Sequence, residues 1–115
     1  MKTFREKHPF KKRLQESTRI MEKYPYRIPI ICSRSAHSDV PILDKQKYLV
    51  PSDLTMGQFI FVIRKRIKLD ASIGLFLFVN NMLPPTASLL SEIYDKYRDD
   101  DGFLYITYSG ENTFG

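Results

Sequence analysis

Three short stretches of this chain are apolar on both of their faces: Ile28 to Cys32, Tyr48 to Val50 and Leu75 to Val79. Alternate residues of a strand point to opposite sides of a sheet. A sheet built from such strands needs cover above and below, which a layer of helices on each side supplies. In Lys47-Tyr-Leu-Val-Pro51, Lys47, Leu49 and Pro51 share one face while Tyr48 and Val50 share the other. Pro51 donates no ladder hydrogen bond, which favours an edge strand or a strand end. An edge strand covered on both faces is bordered by two grooves and keeps a row of unpaired backbone donors and acceptors. That surface suits an extended peptide added as a further strand.

The helices follow from periodicity and caps. Residues 10–24 place Phe10, Leu14, Met21 and Tyr24 on one stripe at helical spacing, expected to be buried. Ile20 lies to one side of that stripe with Glu16 one turn before it, either as a boundary residue or as an apolar wall beside a carboxylate. Phe4 with its flanking charges permits a short helical turn, ended by Pro9. Thr55-Met-Gly-Gln58 has capping-box spacing and opens a helix buried through Met56, Phe59, Ile60, Ile63 and Ile67. Its C-terminal end carries Arg64, Lys65, Arg66 and Lys68, where cations suit the helix dipole. Asn80-Asn81 is a turn signal, Thr86 is the expected cap of a helix near 87–97, and Asp99-Asp100-Asp101-Gly102 reads as a solvated turn. Phe103 to Tyr108 is the last strand, and residues 109–115 have neither periodicity. Strand-strand-helix-strand-strand, with a helical extension in front, is the plan of a small mixed sheet grasping one helix.

Charge and chemistry narrow the function. Residues 1–27 hold nine Lys or Arg against three Glu, and residues 28–115 hold nine against ten acidic residues, so the net +5 belongs to the N-terminal segment. That arm suits nucleic acid, an anionic membrane surface or an acidic protein partner. No apolar run approaches the ~20 residues that span a bilayer, and the N-terminus lacks the apolar core of a secretory signal. The lone Cys32 excludes an internal disulfide and fits a reducing, cytoplasmic setting. Cys32, His8 and His37 fall in separate contexts, and the chain has no phosphate-cradling glycine loop and no metal-ligand spacing. An enzyme is not expected, nor a metal, nor a cofactor.

Tyr48-Leu-Val-Pro-Ser-Asp-Leu-Thr55, Gly57-Gln-Phe59, Ile63-Arg-Lys-Arg-Ile67, Phe78-Val-Asn-Asn81 with Pro84-Pro-Thr86, and Asp101-Gly-Phe-Leu-Tyr105 closely resemble the autophagy ubiquitin-like modifiers of the GABARAP family. So do His8-Pro-Phe10 and Tyr24-Pro25 with Arg27-Ile-Pro29. The resemblance spans essentially the whole chain. It implies an α+β fold, a ubiquitin-like β-grasp with a four-stranded mixed sheet and two additional N-terminal helices. The expected division is residues 1–25 as helical extension, 26–108 as grasp core and 109–115 as flexible conjugation tail.

The resemblance further implies that Gly115 is activated by an E1-like enzyme, passed to an E2-like enzyme as a thioester and joined to the amine of phosphatidylethanolamine. Glycine suits a narrow active site because it lacks a side chain. One conjugated phospholipid brings two acyl chains, which stable anchoring requires. A cysteine protease trims relatives beyond this glycine or removes the lipid, and a chain ending at Gly115 matches the trimmed form. By the same resemblance, cargo receptors bind through short motifs with an aromatic residue and an aliphatic one three positions later. The aromatic pocket would be Glu16, Ile20, Pro29, Ile31, Lys47, Leu49 and Phe103. The aliphatic pocket would be Tyr48, Val50, Pro51, Leu54, Phe59 and Val62, with Arg27, Lys45 and Lys47 meeting acidic flanks. A second docking surface in relatives matches Phe76, Leu77 and Phe78, which also read as core aromatics. Met56, Met82 and the 33–43 loop depart from the family pattern and leave subfamily and partner preference open. The implied setting is the cytoplasm, and the autophagosome membrane after conjugation. The alternative is a basic module for nucleic acid or for acidic cytoskeletal surfaces such as tubulin tails.

Overall fold

The computed structural model describes residues 2–112. Its elements are α1 (Phe4–Lys7), α2 (Phe10–Lys23), β1 (Arg27–Arg34), β2 (Lys47–Pro51), α3 (Met56–Arg66), β3 (Phe76–Phe78), α4 (Leu90–Tyr97) and β4 (Leu104–Ser109). The sheet order is β2-β1-β4-β3. β1 pairs antiparallel with β2 and parallel with β4, while β3 pairs antiparallel with β4. This is the mixed four-stranded grasp expected from the strand pattern, and β2 lies at the edge.

The two-faced strands are explained by the layers. Ile28, Ile30 and Cys32 of β1, Tyr48 and Val50 of β2, and Leu104, Ile106 and Tyr108 of β4 meet Met56, Phe59 and Ile63 of α3 and Leu90 and Ile93 of α4 in the main core. The opposite face holds a smaller cluster of Phe4, Ile31 and Phe103, with Ile20 and Tyr105 packed on it. Each strand thus sends alternate side chains into two apolar layers.

Two local signals that satisfy backbone groups form as their spacing implies. Thr55 accepts the Gln58 amide N–H at 3.1 Å, and the Gln58 side chain accepts the Thr55 N–H at 2.9 Å, the reciprocal cap its spacing implies. Asn80 and Asn81 both take positive φ, 49° and 62°, and close a turn across which Val79 and Met82 exchange backbone hydrogen bonds. Asparagine tolerates this left-handed geometry better than most residues.

Three expectations require correction. In α2, Phe10, Leu14 and Tyr24 are 47, 39 and 40% exposed, so of the expected stripe Met21 alone packs on the core. The face that meets the body is turned toward Ser17, Ile20 and Arg13, because α2 docks through a polar contact as well as an apolar one. Helix α4 begins at Leu90, not near 87 after a Thr86 cap. The carbonyls of Thr86 and Ser88 instead accept the N–H groups of Gly57 and Met56 at 2.9 Å each, which satisfies the first turn of α3. Finally, the turn at 99–102 is not wholly solvated. Asp101 is fully buried.

Candidate peptide-docking surface

The residues singled out for peptide binding fall on both sides of β2. On the outer face, Lys47 and Pro51 are exposed and Leu49 is half-buried. Glu16 and Ile20 reach the same face from α2, and both are half-buried. Pro29, Ile31 and Phe103 are buried beneath them. Lys47 Nζ and Glu16 Oε2 lie 2.7 Å apart and bridge from the strand edge to the helix. The pair is solvent-exposed, so it is a weak latch in energy and a movable one.

Phe4 is the member that sequence reasoning missed. Its ring meets Phe103 edge to face with centroids 5.4 Å apart, and Lys47 Nζ lies 5.9 Å from its centre. Thr3 and Glu6 hold the short α1 by a second capping box, with Thr3 N–H donating to Glu6 Oε1 at 2.8 Å. The spacing Thr3-x-x-Glu6 was the available signal.

On the inner side, Tyr48, Val50 and Phe59 belong to the core, while Leu54 is half-buried and Val62 is exposed; Pro51, expected in this pocket, alternates instead to the face of Lys47 and Leu49 at the end of β2. A shallow cleft of about 560 Å³ beyond them is lined by Leu54, Val62, Phe61 and Gly57. The accessible apolar surface on this flank is therefore Leu54 and Val62, resting on buried Tyr48 and Phe59, whose rings meet at 82°. The Tyr48 hydroxyl is buried without a hydrogen-bond partner among the described residues. Burial pushes its pKa up to about 12. Of the acidic-flank residues, Arg27 donates to the Leu49 carbonyl at 3.3 Å and Lys45 lies over the Tyr48 ring at 5.4 Å. Arg66, of the basic cluster at the end of α3, pairs with Asp44 at 3.1 Å.

The mooring of α2 decides whether Glu16 and Ile20 stay in place. Asp101 Oδ2 accepts from Arg13 Nη1 at 2.6 Å and from the Tyr105 hydroxyl at 2.5 Å, and its Oδ1 accepts the Phe103 N–H at 2.9 Å. Its carbonyl accepts the Ser17 hydroxyl at 2.5 Å. Gly102, with φ +87°, lies against Ser17 so closely that any Cβ there would overlap it. Burial, with the Asp101 bond second, pushes the Tyr105 pKa up to about 12. A buried carboxylate is tolerable only with a cation and full hydrogen bonding, and this one has both.

Elsewhere the chemistry is quiet. Cys32 is fully buried, and burial pushes its thiol well above the usual range, which leaves it unreactive. No grouping of metal-ligating side chains occurs among the described residues. Phe76 is half-buried, and Leu77 and Phe78 are buried. Gly115 lies outside the described residues.

Comparison with known proteins settles the lineage. Residues 12–115 match the family model described as Autophagy protein Atg8 ubiquitin like. The chain belongs to the Atg8 family. Autophagy-related protein 8c of Arabidopsis thaliana is 62% identical over 113 residues, covering 98% of this chain and 95% of that protein. Autophagy-related protein 8 of Coccidioides immitis is 61% identical over 112 residues, covering 97% and 96%. The crystal structure of Trypanosoma brucei ATG8 superposes with a TM-score of 0.91 at 45% identity, covering 100% of this chain and 99% of that one. The Atg8 assignment fixes the fold as a ubiquitin-like α+β grasp and the chain as an autophagy ubiquitin-like protein. No helix among the described residues is long and apolar enough to cross a membrane.

Proposed function

We propose that this Atg8-family chain is a ubiquitin-like modifier joined through Gly115 to phosphatidylethanolamine, and that on the autophagosome membrane it docks aromatic-x-x-aliphatic peptides of cargo receptors along β2. The observation that carries the reading is the position of β2. It pairs with β1 alone, no strand among the described residues pairs with its outer edge, where Arg27 donates to the Leu49 carbonyl, and it separates Ile20 and Leu49 on one face from Leu54 and Val62 on the other. An added strand sends alternate side chains to opposite faces, so two anchors of one peptide enter two flanks. The Lys47–Glu16 latch opens onto the aromatic side, and Arg27, Lys45 and Lys47 supply positive charge along the edge for acidic neighbours of the anchors.

The conjugation step needs no catalytic group of this chain. The E1-like enzyme activates the Gly115 carboxylate at the expense of a nucleoside triphosphate, and its thiolate displaces the phosphate-linked leaving group to form a thioester. The E2-like thiolate then attacks that carbonyl and expels the first thiolate. The lipid amine attacks that carbonyl, the C–N amide bond forms, the C–S bond breaks, and the thiolate leaves as the amine loses its proton. A cysteine protease acting on the glycyl bond accounts for trimming and release. In this role the protein is an adaptor and substrate, with no cofactor of its own, cytoplasmic until the lipid is attached.

The test is paired. In a reconstituted reaction with the two enzymes and phosphatidylethanolamine vesicles, wild-type protein is expected to become lipidated and Gly115→Ala is not. Lipidation of Gly115→Ala would refute the conjugation reading. Leu49→Ala is expected to weaken binding of an anchored peptide while the fold is retained, and unchanged affinity would refute the edge reading.

The basic-module alternative loses part of its footing. Arg64 donates to the carbonyls of Asp70 and Ile73 at 3.1 and 2.7 Å, and Arg66 pairs with Asp44, so two cations of that cluster bind their own chain.

A further inference from the structure

The stretch between β1 and β2 has no helix or strand of its own, yet the body holds it at several points. The Ser35 N–H donates to the Tyr108 carbonyl at 2.8 Å, continuing the line of the β1–β4 ladder. The Arg34 guanidinium donates to the Val40 carbonyl at 2.9 Å. The Tyr108 hydroxyl donates to the Pro41 carbonyl at 2.9 Å and accepts the Leu43 N–H at 2.8 Å. Val40 and Leu43 are buried in the main core. A loop tied in this way is a fixture of the body, since loosening it breaks hydrogen bonds and exposes apolar groups together.

This fixture closes on the chain just past β4. The Ser38 hydroxyl oxygen accepts the Gly110 N–H at 3.1 Å, and Ser109 Oγ accepts the Glu111 N–H at 3.1 Å. A Cβ on Gly110 would stand 2.8 Å from Val40 Cγ1, closer than such atoms approach. Val40 is β-branched and buried, so it has little room to rotate aside. Gly110 is thus fixed by a hydrogen bond on its nitrogen and by close contact at its α-carbon. From there the five residues 111–115 reach at most about 17 Å.

We infer that Ser38, with Val40 behind it, is a positioning residue for the conjugation of Gly115. The 35–43 segment is a collar that sets where, and in which direction, the reactive terminus leaves the body. This rests on the conjugation reading proposed above. An enzyme that grips the folded body must meet the terminus at a fixed offset, and with so short a reach the departure point decides whether it arrives. Ser38 acts through Gly110 and takes no part in the bond-making step.

The experiment measures initial rates of lipidation of the full chain by the E1-like and E2-like enzymes on phosphatidylethanolamine vesicles, with this protein as the varied substrate. Ser38→Ala is expected to lower kcat about fivefold, the population equivalent of one net hydrogen bond. KM is expected to hold, because the body that the enzymes grip is unchanged. Ser38→Thr keeps the hydroxyl and is expected to restore the rate. Gly110→Ala is expected to fall as Ser38→Ala does. Gly110→Ala with Val40→Ala, which clears the space, is expected to recover to the rate of Val40→Ala alone. Amide exchange at Gly110 is expected to quicken in Ser38→Ala, while sheet protection and affinity for an anchored peptide hold. Lipidation of Ser38→Ala at the wild-type rate or faster overturns the inference and leaves the conjugation reading standing. So does a Gly110 amide that exchanges freely in the wild type, or a loss in Ser38→Ala matched by losses of sheet protection and peptide affinity. Failure of the wild type to become lipidated overturns both.

Discussion

The buried carboxylate of Asp101 gives the sharpest test of how this fold is held. Asp101→Asn keeps one oxygen for the Phe103 N–H but turns an NH2 group toward the donors of Arg13 and the Tyr105 hydroxyl. The ion pair is broken and donors are left facing one another out of contact with water. Removing one partner of a buried pair costs about 3–5 kcal/mol. A domain of this size has a total stability of about 5–15 kcal/mol, so the loss is a large share of it. It corresponds to a fall in Tm of about 15 °C. Urea denaturation followed by circular dichroism measures the change. Hydrogen exchange should show α2 losing protection ahead of the sheet, because Ser17 and Arg13 are the helix residues bound to this turn. Peptide affinity should fall with it, since Glu16 and Ile20 ride on the same helix. A stability loss below about 1 kcal/mol, the range of an exposed pair, would refute the argument, as would α2 amides that stay protected in the variant.

Gly102→Ala is expected to destabilise by at least about 1–2 kcal/mol from backbone strain at its left-handed φ alone, with α2 displaced further because Ser17 has no room to retreat. The measurement is the same denaturation, and a neutral result would refute the close approach. Tyr48→Phe removes a buried hydroxyl with no partner among the described residues and should be neutral or stabilising by about 1 kcal/mol, where most core changes destabilise. Marked destabilisation would show that the hydroxyl is bonded. Tyr48, Tyr94, Tyr105 and Tyr108 all have folded-state pKa values raised by burial, to about 12 for Tyr48 and Tyr105. Each holds its proton more tightly in the folded chain, so this stabilisation is complete below the unfolded value near 10 and is lost as pH rises toward about 12. Stability measured across that window should decline, and a flat profile would contradict it.

How much of this was legible depended on where each signal resides. Hydrogen bonds that close locally, such as Thr55 with Gln58 and the Asn80-Asn81 turn, are written in spacings of a few residues. The two-faced strands likewise forced a doubly covered sheet, because nothing else relieves apolar groups on both sides. The face of α2 was misread because apolar periodicity was taken to mark the interface, whereas its contact is centred on Ser17 against Gly102 and Asp101. A small hydroxyl and a glycine permit the approach, and neither scores as apolar. Asp99-Asp100-Asp101 offers the same difficulty, since three like residues in a row give no hint that the third alone turns inward to Arg13. Thr86 looked like a cap because its carbonyl's true partner, Gly57, is remote in the chain. For the candidate docking surface, the division of Lys47 to Pro51 between two faces was legible, but the contribution of Phe4 depended on a tertiary contact with Phe103.

An open sheet border able to admit a visitor's strand is also an invitation to a second molecule of the same protein, and through it to fibrils. Lys47 at one end of β2 and Pro51 at the other restrict that danger. Two copies aligned along this border would bring like charges together and lack an amide donor at each proline. A guest with acidic side chains and a free backbone meets no like charge and forgoes the donor of one proline instead of two, so the same two residues that spoil homotypic stacking leave heterotypic pairing open.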